Sequence, residues 1–91
     1  MEIANVKRYV CRDAYLGKIY ISRSLQTLFD NVKLARDYIG LMGVLDTPIG
    51  EVLFSIEESY SHDPILMRRI MHYDTFMKFN LDSIIIDLDK L

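Results

Sequence analysis

The chain has 91 residues, of which 51% are apolar, a net charge of −2 and a single cysteine. It describes one compact domain over 1–91 with a limited core, since so short a chain buries only roughly 60–65% of its unfolded surface. Cys11 has no second thiol, which excludes a disulfide scaffold, and the longest apolar run is far short of the ~20 residues a membrane span needs.

In chain order, residues 2–16 place Ile3, Val6, Val10 and Ala14 on one stripe of a helix, with Gly17 as a C-terminal stop. As a strand the same residues would put Arg8 and Arg12 beside Val6 and Val10, a poor arrangement, although the valines, Tyr9 and Cys11 keep a strand open. KIYIS, residues 18–22, reads as a short strand. Residues 24–39 read as the clearest helix, with Leu25, Leu28, Phe29, Val32, Ala35 and Ile39 at helical spacing and Ser24 or Ser22 as the cap.

LMGVL, residues 41–45, reads as a buried connector. A further helix is expected after Asp46 or Thr47, with Pro48 in its first turn and Ile49, Val52, Leu53 and Ile56 as its stripe. Another is expected from the cap Asp63 and Pro64 to about Phe79. The tail isoleucines of DSIIIDLDKL prefer a strand, and residues 83–88 are expected to pair with 18–22 as a small sheet edge. Asp82, Asp87 and Asp89 lack a calcium-loop pattern and read as solubilising residues that discourage edge pairing. The expected fold is mostly α with a minor β element, about four helices plus a short two-stranded pairing. The alternative is an α+β domain whose three-stranded antiparallel sheet includes residues 5–12.

Little points to catalysis. His62 and His72 would sit roughly 15 Å apart on one helix, too far to share a metal. Cys11 lies in an apolar segment and reads as a small buried hydrophobe rather than a nucleophile. The four glycines form no phosphate-binding loop. The expectation is no enzyme, no cofactor and no metal.

What remains is binding. The apolar share lies at the upper end of the usual range of about 45–50%, so a surplus is expected to surface as an exposed patch. Charge is polarised: residues 1–23 carry five basic and two acidic side chains, +3, which leaves six basic and eleven acidic, −5, for the rest. Arg8, Arg12, Tyr15 and Tyr20 in the basic stretch, with Met67 and Met71 as adaptable thioethers, are the candidate partner-binding residues.

The reading is a small non-enzymatic protein–protein interaction module, a regulator or inhibitor that occludes or scaffolds a partner. Virus-encoded proteins are among the classes that size and composition admit. The partner is expected to present an acidic or amphipathic surface, and self-association as a dimer or small oligomer is expected too. The alternative is a nucleic-acid-binding regulator that uses the basic N-terminal region, against which the acidic total weighs. The opening MEIANVK has no signal-peptide core, so a soluble cytoplasmic protein is expected, with no membrane partner and in a host cell if virus-encoded.

Overall fold

The computed structural model describes residues 6–13, 15–36, 40–58 and 64–91. Among them are six strands in one sheet: β1 (Val6–Asp13), β2 (Lys18–Ser22), β3 (Leu41–Thr47), β4 (Gly50–Glu58), β5 (Pro64–His72) and β6 (Ile84–Asp87). Their spatial order is β5-β4-β3-β1-β2-β6. All neighbours are antiparallel except β2 and β6, which run parallel. The helices are short: α1 (Leu25–Asn31), α2 (Lys33–Arg36) and α3 (Tyr73–Phe79), with a 3-10 turn over Leu88–Lys90.

The mostly helical expectation is therefore overturned. The domain is mainly β, and the three-stranded antiparallel alternative gives way to a six-stranded mixed sheet.

Helices cover the sheet on both sides. Phe76 of α3 packs among Val10, Ile19, Met42, Val44 and Leu53 on one face. Leu28, Val32 and Ala35 of the α1–α2 segment pack with Cys11, Leu41 and Ile56 on the other. A strand buried on both faces needs apolar residues at consecutive positions rather than alternate ones. Val10 and Cys11 are such a pair, Val52 and Leu53 another, and Leu41 to Val44 form a buried run of four.

This two-sided burial explains the misread inner strands. Over 2–16 the described residues form β1 instead of a helix; residues 2–5 and 14 lie outside the described ones. The supposed cost of Arg8 and Arg12 beside Val10 does not arise. Arg8 lies over the Tyr73 ring, 4.9 Å from its centroid, and Arg12 is exposed near the end of its strand. The connector LMGVL is part of the central strand β3.

The helix expected after Asp46 is β4, and TPIG is the hairpin turn that leads into it. The Thr47 hydroxyl donates to the Gly50 carbonyl (2.8 Å) and accepts from the Ile49 amide (3.2 Å). Gly50, at φ 108°, supplies a backbone conformation that side chains disfavour. The helix expected over 64–79 is strand β5 up to His72 and helix only from Tyr73. The expected cap Asp63 lies outside the described residues. The helix expected over 24–39 is, among the described residues, two pieces broken at Val32, which has extended dihedrals (φ −130°, ψ 112°); residues 37–39 lie outside the described ones. Its cap is Ser24, whose side chain accepts from the Thr27 amide.

The tail does pair with 18–22, in parallel register from Lys18↔Ile84 to Ile21↔Asp87. Asp89 locks it there. Its carboxylate accepts from the Ser22 hydroxyl and the Arg23 amide, both at 2.8 Å. These bonds, the Arg23 amide first and the Ser22 hydroxyl second, hold the Asp89 carboxyl below its usual value. A depressed carboxyl stabilises the fold above its unfolded pKa of about 3.9 and loses that contribution as pH falls through the folded value.

Asp89→Asn is therefore expected to melt below wild type at neutral pH, with the two melting curves converging as the solution is acidified below about pH 4. Melting temperatures measured across that range check this; a constant offset at every pH would refute it. Among the described residues no helix is long and apolar enough to cross a membrane.

Candidate functional site

The basic stretch at the N-terminus is not one surface. β1 pairs with β3 through a register shift that leaves Lys7 as an extra residue between Val6↔Leu45 and Arg8↔Val44. Such a bulge re-aims side chains, and here two consecutive cations reach one carboxylate. Lys7 and Arg8 both meet Glu51 Oε2, Arg8 through Nη2 at 3.6 Å, and Lys7 also lies 3.5 Å from Asp46.

Glu51 is held below the ordinary carboxylate range, first by its bond to Lys7, and that same bond holds Lys7 above its usual value. The linkage signs are opposite. The Glu51 contribution fades in acid, whereas the Lys7 contribution fades as alkali passes its raised pKa. Arg8, a candidate binding residue, is thus tied to Glu51 and Tyr73, and fastens the start of α3 to the sheet.

The other candidates scatter. Tyr15 is fully exposed at the β1–β2 turn, where its amide donates to Asp13 Oδ1 at 3.1 Å. Tyr20 packs against the opposite core, with Cys11 and Leu28. Met67 is exposed on β5, at one of two register shifts that leave Met67 and Ile70 without partner residues on β4.

Arg12 and Met71, however, come together. Both line a cleft of about 750 Å³ between the sheet and α3. Met42 and Ser55 contribute to it from β3 and β4, and Phe76 and Phe79 from α3. Ile70 and the exposed Phe79 leave it open to solvent, and Arg12 and Glu57 are the charged groups among its lining residues. Among the described residues neither of these two is held in an ion pair. The volume falls within the roughly 300–1,000 Å³ of ligand-binding clefts, and a mainly apolar lining with a few polar groups is their usual character.

Asn80, also at the cleft, is committed to structure: its Nδ2 donates to the Phe76 carbonyl at 2.7 Å and closes the end of α3. Asn80 also borders a second, smaller groove of about 340 Å³, formed with Met77, Leu81 and Ile85. Apolar surface thus continues from Ile70 and Phe79 past Asn80 to Leu81 and Ile85.

Sequence reasoning missed Met42, Ile70, Phe76 and Phe79 as site residues. The spacing of Phe76 and Phe79, one helical turn apart, is the available signal, but the helix expected to about Phe79 puts Leu66, Met67, Ile70, Tyr73 and Met77 on its apolar stripe and leaves both phenylalanines out of it. Cys11 is fully buried, and burial first, then Asp13, pushes its thiol up to about 11. It is therefore almost wholly protonated at neutral pH and a poor nucleophile. No protein-family model, curated protein or solved structure matches the chain.

Proposed function

We propose that this chain is a non-enzymatic protein-binding module whose cleft beside α3 takes an apolar side chain from an amphipathic partner segment. The observation that carries the reading is the open, apolar cleft bordered by the exposed Phe79. Thioethers from Met42 and Met71 suit it to side chains of varied shape. Arg12, without an ion-pair partner among the described residues, favours an acidic residue next to the partner's apolar anchor. The nucleic-acid alternative draws on the basic N-terminal region, Lys7, Arg8, Arg12, Lys18 and Arg23, and two of those five cations already meet Glu51.

Selection of random peptides displayed on phage tests the reading. Enriched peptides are expected to carry a bulky apolar anchor flanked by Asp or Glu. Their affinity is expected to fall at least about tenfold on Phe79→Ser, the ~1.4 kcal/mol of one well-seated aromatic contact. Arg12→Glu is expected to weaken them further while leaving melting temperature unchanged. Enrichment of basic peptides, or binding indifferent to both substitutions, would overturn the proposal.

A further inference from the structure

The two outer strands of the sheet differ. β5 is an edge with two register shifts, at Met67 and Ile70, and it exposes Arg68 and Arg69. Bulges and cations are the devices by which edge strands avoid pairing with other chains. β6 has neither. It runs in unbroken register along β2 and exposes Ile84 and Ile85.

Two of the three aspartates that read as guards of this edge are engaged elsewhere, and the third, Asp82, lies before the strand begins. Asp87 Oδ1 accepts from the Asp89 amide at 3.0 Å, and Asp89 is held by Ser22 and Arg23. The Ile84 amide donates to the Gly17 carbonyl at 2.7 Å, so Ile84 turns its backbone groups toward β2. Backbone direction alternates along a strand. The N–H and C=O of Ile85 therefore point outward, as does the N–H of Asp87, whose C=O caps the 3-10 turn; no described strand meets these groups.

We propose that β6 pairs antiparallel with β6 of a second copy about a two-fold axis at Ile85, joining two sheets into one. Identical edges related by a two-fold axis satisfy each other's outward groups. Three registers keep outward groups opposite one another, and side chains select among them. With Asp87 opposite Asp87 of the second copy, like charges meet and the 3-10 turn at Leu88 interrupts the pairing. With Asp87 opposite Ile85, a carboxylate is set against an apolar side chain. With Ile85 opposite Ile85, Ile84 meets Ile86 on each side and Asp87 meets Ser83, so like meets like. This last register also covers the groove beside Ile85, where Leu81 is 82% exposed. The inference does not rest on the cleft as a partner site: Ile85 is not among the cleft's lining residues.

Light scattering at high micromolar concentration is expected to report twice the 10.7 kDa chain mass. Ile85→Lys, at a position already 41% exposed, is expected to give one chain per particle with an unchanged circular dichroism spectrum and unchanged peptide binding at the cleft. Register is read by cysteine pairing. Ile84 and Ile86 of opposite copies form a non-hydrogen-bonded pair with Cα atoms about 4.5 Å apart, within disulfide reach.

Ile84→Cys chains mixed with Ile86→Cys chains are expected to cross-link on oxidation, while neither variant cross-links alone. Cys11, fully buried, does not compete. Cross-linking of Ile86→Cys by itself would overturn the proposed axis. A single-chain mass for wild type, or a dimer that survives Ile85→Lys, would overturn the interface.

Discussion

Phe76→Ala is expected to cost about 3–5 kcal/mol of stability, a large share of the roughly 5–15 kcal/mol a small domain holds. Phe76 is 5% exposed and is the side chain that seats α3 among Val10, Ile19, Met42, Val44 and Leu53. α3 has seven residues, well below the ~12–15 at which an isolated helix becomes even marginally stable in water, so it persists only while it is packed. The loss is expected to lower the melting temperature by more than about 12 °C.

Phe79, three residues on, separates stability from binding. It is 77% exposed, and Phe79→Ser is expected to stay within about 0.5 kcal/mol of wild type. Thermal denaturation of both variants, followed by circular dichroism, checks the pair. A Phe76→Ala loss below about 1.5 kcal/mol would mean that α3 is held by something other than this ring. If both variants lose peptide binding but only Phe76→Ala loses stability, the cleft and the fold share α3 through two different residues.

Why was so much of the sheet illegible, when the pairing of residues 18–22 with the tail was not? KIYIS and the three isoleucines are β-branched and short, and β2 and β6 at the margin of the sheet keep that signature. The inner strands lose it. Leu53 serves one core and Ile56 the other, on opposite sides of the sheet, and with the buried Val52 their summed pattern imitates a helical stripe. β5 imitates a helix for another reason. Its register shifts fall at Met67 and Ile70, a three-residue spacing that bulges produce and periodicity analysis credits to a helix.

TPIG is ambiguous in itself, since proline suits both the first turn of a helix and the second position of a β-turn. The site followed the fold. Arg12 and Met71 stood out by residue type, but only the sheet brings them, far apart in sequence, to one cleft. Arg8 stood out equally and is committed to Glu51 and Tyr73, because a bulge at Lys7 is not encoded in any local pattern.

Gly43→Val is expected to destabilise the domain by about 3 kcal/mol, the upper end for an overpacked core. Gly43 sits mid-strand in β3, between Tyr9 of β1 and Phe54 of β4. A Cβ there would lie 3.0 Å from Ile56 Cδ1, 3.2 Å from Val6 Cγ1 and 3.6 Å from Leu66 Cδ2. Neighbouring side chains thus occupy the space that any other residue needs. Two effects favour the substitution: valine prefers strands, on a scale that spans about 1 kcal/mol, and replacing glycine removes unfolded-state freedom worth about 0.4–1 kcal/mol.

For Gly43→Ala these gains nearly offset the crowding, because the ends of Ile56 and Val6 need to shift only a few tenths of an ångström. For valine they do not, because two further methyl groups enter a layer where Ile56 is only 1% exposed. Shortening that neighbour should relieve the strain, so Gly43→Val with Ile56→Ala is expected to be more stable than the sum of the two single losses, by at least about 1 kcal/mol of coupling. Chemical denaturation of the four proteins measures it. Strictly additive losses would mean that Gly43 is required for a reason other than the room it leaves for Ile56.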